Sequence, residues 1–134
     1  MRFRGSPITE GEVVGELVVS PQPLTFYGGV DPSTSEVVEP GHALRGTRLK
    51  GKILILPHSK GSTVGSYVIL RMARRGVAPA GIVTVKPDEV VIIGCIIGGV
   101  TSMTRIGEEA LNLLKTGDKA ILRVGREHAE LLVE

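Results

Sequence analysis

Residues 51–66 read GKILILPHSKGSTVGS, an unbroken apolar run that passes through a proline into a loop of glycines and hydroxyl side chains. Ile53, Leu54, Ile55 and Leu56 do not alternate with polar residues, the mark of a strand covered on both faces in a layered α/β domain. Pro57 has no N–H to give to a ladder and ends it. His58, Ser59, Lys60 and Gly61 then turn the chain. Beyond them Val64, Tyr67, Val68 and Met72 recur at helical spacing, so a helix is expected to begin near Ser62 or Thr63. Arg71, Arg74 and Arg75 crowd its last turns, where cations suit the negative end of the helix dipole, and Gly76 is placed to cap it.

At the start of that helix, free backbone N–H groups of Gly61, Ser62 and Thr63 and the positive end of the dipole favour an anion over the loop. The same residues also fit a purely structural role, with Ser62 or Thr63 as an N-cap contributing roughly 1 kcal/mol. From the loop alone both remain open.

The chain has 134 residues and is expected to form one domain over 1–134, burying about two-thirds of the surface its unfolded chain exposes. Cys95, the one cysteine, lies inside the apolar run VVIIGCIIGG. It therefore allows no internal disulfide and no thiolate cluster, and it reads as a small buried hydrophobe. Net charge is +2 with both signs interspersed, and the aromatics are Phe3, Phe26, Tyr27 and Tyr67. The basic stripe and stacking platform of a nucleic-acid binder are missing. Val90–Val100 is too short and too glycine-rich to span a membrane, and MRFRGSPITEGE has no signal-peptide core, so a soluble cytoplasmic protein is expected.

Outward from the central strand, Glu12–Val19 (EVVGELVV) is valine-rich and reads as a strand with a glycine kink, ended by Pro21 and Pro23. Thr25–Arg48 has little periodicity and many turn formers, a length that marks a functional or disordered loop. Its middle, GGVDPSTSE, offers paired glycines, an Asp-Pro turn starter and three hydroxyls, with Asp31 able to cap its own backbone. Val77–Val85 reads as a second buried strand, and Glu89–Val100 as a further apolar element interrupted at Gly94. Arg105–Lys115 reads as an amphipathic helix burying Ile106, Ala110, Leu113 and Leu114. Lys119–Val124 and His128–Val133 form a hairpin around Gly125 and Arg126. Strands followed by strand-helix-strand units predict a three-layer β/β/α domain with helices on one side.

GGVDPSTSEVV, GKILILPHSKGSTVGS and RRGVAPAGIV, in that order and spacing, resemble the small subunit of the aconitase X group from about Gly11 to Gly99, with a weaker continuation beyond. The resemblance implies a swivelling β/β/α domain that closes over the active site of a separate large catalytic subunit. A 4Fe-4S cluster held by that partner's cysteines, and by no residue of this chain, is implied to act as Lewis acid on the departing hydroxyl. The implied reaction is dehydration of a phosphorylated substrate, (R)-5-phosphomevalonate, to trans-anhydromevalonate 5-phosphate in an archaeal isoprenoid route. The group's serine general base falls on Ser62. A neutral hydroxyl is a poor base, so it needs positive charge and hydrogen-bond donors, which a helix N-terminus and Lys60 would supply. Lys60, Gly61 and Thr63 beside Ser62, and Asp31, Ser33 and Thr34 in the long loop, are the expected substrate or partner contacts. Ser35 stands where the group commonly has glycine, and Thr101 where proline is usual.

Other readings keep parts of this picture. His58 is a competing base, with an intrinsic pKa better suited to the role. A close relative dehydrating another hydroxy acid, such as cis-3-hydroxyproline, would share the mechanism. Swivelling domains also serve as phosphohistidine carriers or phosphate-binding modules, which need a histidine exposed at the helix start, where Ser62 and Thr63 stand here.

Overall fold

All four residues of the ILIL run are buried, and their side chains part to opposite sides. Ile53 and Ile55 face the interior between two β layers, whereas Leu54 and Leu56 face the helices. This is why the run carries no polar alternation: each leucine or isoleucine so buried contributes about 1.5–3 kcal/mol. The computed structural model describes residues 1–134. Its elements are β1 (Arg2–Thr9), β2 (Gly11–Val19), β3 (Leu24–Thr25), β4 (Ile53–Leu56), β5 (Ser59–Lys60), α1 (Gly65–Arg74), β6 (Gly81–Thr84), α2 (Glu89–Gly98), β7 (Thr101–Thr104), α3 (Ala110–Leu113), β8 (Lys119–Val124) and β9 (Ala129–Val133).

Seven strands close in the order β1-β7-β6-β4-β2-β8-β9, with β9 pairing back onto β1. Two long strands do the joining. Gly11–Glu16 of β2 runs antiparallel to β8 while Leu17–Val19 runs parallel to β4, and β1 pairs β9 with its first half and β7 with its second. The two β layers are thus one flattened barrel, and α1 and α2 cover its parallel side as the crossovers from β4 to β6 and from β6 to β7. The expected three-layer β/β/α architecture is the one observed.

The helices run closely side by side because the residues where they meet, among them Gly94, Gly98, Ser66 and Ala73, are small. A Cβ on Gly94 would lie 2.7 Å from Ile69 Cδ1 and 3.2 Å from Ser66 Cα, and one on Gly98 3.4 Å from Ala73 Cβ. Cys95 is buried in α2, as its apolar surroundings predicted. α1 ends as expected: Gly76 adopts φ +73, and the N–H of Val77 reaches back to the Met72 carbonyl at 2.9 Å.

Several expectations are corrected. α1 begins at Gly65, not at Ser62 or Thr63. Residues 62–67 first form tight i→i+3 turns, with Gly65 N–H on the Ser62 carbonyl and Ser66 N–H on that of Thr63. Ser59 and Lys60 are not a simple turn but a two-residue strand against β3. The strand within Val77–Val85 is confined to Gly81–Thr84. The helix expected over Arg105–Lys115 shrinks to Ala110–Leu113, because Arg105 sits at φ +62 and the chain from Gly107 coils in i→i+3 turns. Ile106, Ala110 and Leu114 are buried as expected, but Leu113 is half exposed.

β1 and β7 had no counterpart in the sequence reading. β7 is TSMT, buried throughout, with Thr104 Oγ1 2.6 Å from Thr84 Oγ1 on β6. The long 25–48 segment is ordered. Phe26, Val30, Val37 and Leu44 from it pack into the same cluster as the helices, and isolated bridges pair Val30 with Val37 and Glu36 with Arg48. No helix is long and apolar enough to cross a membrane.

Candidate functional site

The loop after β4 is held by two carboxylates from distant parts of the chain. Asp88 accepts from Ser59 N–H at 2.8 Å, from the Ser59 hydroxyl at 2.7 Å and from Val91 N–H at 2.9 Å, so one side chain anchors the loop and caps α2. Glu39 accepts from Thr25 N–H at 2.8 Å and pairs with Lys60 Nζ at 3.0 Å, closing the long loop over the β3–β5 ladder. Burial pushes the Glu39 carboxyl up. The Thr25 N–H bond and the hydrogen bond and charge of Lys60, aided by His42, outweigh it and hold the group below the ordinary carboxylate value.

Between these anchors the chain presents Gly61, Ser62 and Thr63 to solvent. Gly61 adopts φ +86, and a Cβ there would lie 2.8 Å from Thr25 Cγ2, so turn and close approach both require glycine. Ser62 Oγ accepts from Val64 N–H at 3.1 Å, while the backbone N–H groups of Ser62 and Thr63 make no hydrogen bond. A hydroxyl so placed has a fixed donor aimed at its oxygen and the head of α1 behind it, and both strengthen as negative charge grows on Oγ.

The structure brings Lys60, Gly61, Ser62 and Thr63 together but leaves the other candidates to one side. Lys60 is committed to Glu39. His58 is half-buried, and its Nδ1 donates to the Ser59 carbonyl at 2.7 Å, which seats it before β5 rather than at the exposed head of α1. Asp31, Ser33 and Thr34 form a self-closed turn: Asp31 Oδ1 accepts from Ser33 N–H at 2.8 Å and Thr34 Oγ1 from Glu36 N–H at 3.2 Å. Asp31 lines a cleft of about 300 Å³ with Tyr27, Pro32, Val68 and Arg71, one to two turns along α1 from Ser62. Ser35 adopts φ +62, the conformation that glycine tolerates best, and its hydroxyl compensates by accepting from Lys50 N–H at 2.9 Å.

Glu39 and Asp88 do not stand out in the sequence as site residues, and Arg71 stands out only for its place in the last turns of α1. Asp88 directly before an apolar helix is a readable N-cap signal, whereas nothing local marks Glu39. The largest cleft, about 400 Å³, lies on the outer β layer, where Arg4, Glu130, Arg123 and Glu12 stand side by side across four strands. Charges that alternate in this way neutralise one another, and Arg123 Nε is already 2.9 Å from Glu12.

The donor set does not fit an iron–sulfur cluster. Cys95 is the single cysteine, burial pushes its thiol up to about 12, and no group of three or more His, Cys, Asp or Glu is placed to hold a metal ion.

A family model described as the aconitase X swivel domain matches residues 2–131. A protein of Methanopyrus kandleri named phosphomevalonate dehydratase small subunit is 45% identical over 124 residues, covering 91% of this chain and 92% of its own. One of the same name from Pyrococcus furiosus is 42% identical over 131 residues, covering 98% and 94%. A chain in the crystal structure of holo-form Thermococcus kodakaraensis aconitase X superposes with a TM-score of 0.92 at 35% identity, over 100% of this chain and 98% of that one. Motif order, β/β/α architecture and these matches agree: the chain belongs to the aconitase X swivel-domain family.

Proposed function

We propose that this chain is the small subunit of a two-chain hydro-lyase that converts (R)-5-phosphomevalonate to trans-anhydromevalonate 5-phosphate, with Ser62 as the general base. The observation that carries it is the exposed Ser62 hydroxyl, with Val64 N–H on its oxygen, in a chain 45% identical to a protein named phosphomevalonate dehydratase small subunit.

In this dehydration a proton leaves the carbon next to the carboxylate and the hydroxyl leaves the following carbon, so a double bond and one water result. The proton passes to Ser62 Oγ. Because an alkoxide is required first, the Val64 N–H and the α1 dipole must hold its charge, and a water-excluding partner strengthens both. Gly61 and Thr63 give the loop its close backbone approach to substrate, and Lys60, tied to Glu39, adds positive charge beside it. Asp31, Ser33 and Thr34, in the long loop, serve as contacts for substrate or partner. The 4Fe-4S cluster belongs on the large subunit, since this chain has no ligands for it, and departure of the hydroxyl is that subunit's task.

The test is anaerobic turnover of (R)-5-phosphomevalonate by this chain with its reconstituted large subunit, wild type against Ser62→Ala. Loss of at least 100-fold in kcat with partner binding retained is expected. A variant that keeps its rate overturns the role of Ser62, and an inactive wild-type pair overturns the substrate.

A further inference from the structure

α2 reads EVVIIGCIIG, apolar all round, yet only one side of it is covered. Val90, Val91, Gly94 and Cys95 face α1 and the sheet, while Ile93, Ile96 and Ile97 are 46%, 56% and 45% exposed. A helix with no polar face is normally buried on all sides. Beside it, Val64 just before α1 and Tyr67 within it are 45% and 60% exposed. These five side chains are contiguous with the candidate site, because Tyr67 and Ile93 line one cleft with Thr63, Ser66 and Glu89. The helices run in parallel, with Gly94 against Ser66 and Ile69 and Gly98 against Ala73, so Arg71 and Arg74 border the far end of this apolar strip.

We infer that the outer face of α1 and α2, centred on Ile93, Ile97 and Tyr67, is the docking surface for the large subunit, which meets it with an apolar patch bordered by carboxylates. The inference rests on the two-chain reading above. An apolar centre with a charged border is the build of a protein interface. Continuity with Thr63 means that whatever covers the strip lies next to Ser62, where the partner's half of the reaction must be. A second copy of this chain fits less well: it offers the same arginines, and Glu89 is the only acidic residue within either helix.

The experiment is calorimetric titration of the purified large subunit, without substrate, by the wild-type chain and by Ile93→Asp, Ile97→Asp and Val14→Asp. Val14 is 69% exposed on the opposite β layer and serves as the control. Each isoleucine variant should bind on the order of 100-fold more weakly, and Val14→Asp should bind as wild type. Should either aspartate variant lose its native circular dichroism, Ile93→Ala and Ile97→Ala carry the comparison, with a loss of about 10-fold expected. Unchanged affinity in the isoleucine variants overturns the inference. So does a wild-type chain that sediments alone as a dimer and is split by Ile97→Asp with no change in large-subunit affinity. Because no substrate is present, a wild-type pair that binds but does not dehydrate phosphomevalonate overturns the functional reading and leaves this surface standing.

Discussion

Glu39 and Lys60 meet across the mouth of the long loop, Oε2 to Nζ at 3.0 Å, while the other oxygen of Glu39 takes the Thr25 N–H. Lys60, two positions before Ser62, is therefore half of a clasp. Its charge is fixed in place rather than free to follow a ligand.

Breaking the clasp should lower stability in a pH-dependent way. Glu39→Gln keeps an acceptor for Thr25 N–H and removes the charge, at a cost of about 1 kcal/mol at pH 7, since Lys60 is half exposed and its pairing is screened. The folded-state value of Glu39 is depressed, so its contribution is present above the ordinary carboxylate value of 4.5 and lost as pH falls through the lower folded value. Urea unfolding at pH 7 and pH 3 should show the gap between wild type and variant closing in acid. A gap of equal size at both pH values rules out the electrostatic account.

Asp88 serves the loop and α2 at once. Asp88→Ala should cost about 2–3 kcal/mol, the sum of a lost cap and two lost Ser59 bonds. Asp88→Ser can still cap but cannot also hold Ser59 with a second oxygen, so it should recover about 1 kcal/mol of that loss. Denaturant midpoints of the three proteins give the ordering, and equal stability of the serine and alanine variants would refute the double role.

The sequence was legible where local chemistry and tertiary burial agree. Ile53–Leu56 shows as a doubly covered strand because both its faces are buried, and Gly76 shows as a cap because its conformation demands glycine. β7 was invisible because Thr101, Ser102 and Thr104 are buried polar residues that no apolar pattern reveals. α3 was overread because its four-residue apolar spacing survives a chain that coils in tighter turns. In the site, the GST loop could be singled out from its own residues. The residues that fix it could not, because Asp88 lies 29 positions from Ser59 and Glu39 14 from Thr25.

Ser35 offers a test of backbone strain. In its left-handed conformation a side chain costs about 1 kcal/mol, which its bond to Lys50 N–H offsets. Ser35→Ala keeps the strain and loses the bond, so it should be about 1 kcal/mol less stable than wild type. Ser35→Gly loses both and should lie within about 0.5 kcal/mol of wild type. An alanine variant as stable as the glycine variant in urea melts would show that the strain is not real.

Cys95 should be chemically silent in the folded protein. Its thiol lies in the α2 face packed on the sheet, and burial, with the Asp88 charge adding to it, raises it to about 12 against the smaller opposing influence of the nearby Ser102 hydroxyl. At pH 8 almost none is thiolate, and the thiolate is the form that reacts. A disulfide reagent such as DTNB should label the native chain only as fast as it unfolds and should label it fully within seconds in 6 M guanidinium, a denaturant strength at which a small domain is unfolded, on the order of its usual midpoints. Rapid labelling of the native chain would mean that the α2–sheet contact opens without global unfolding. The helical layer would then be a separately mobile unit, and a docking surface built on it would be soft rather than rigid.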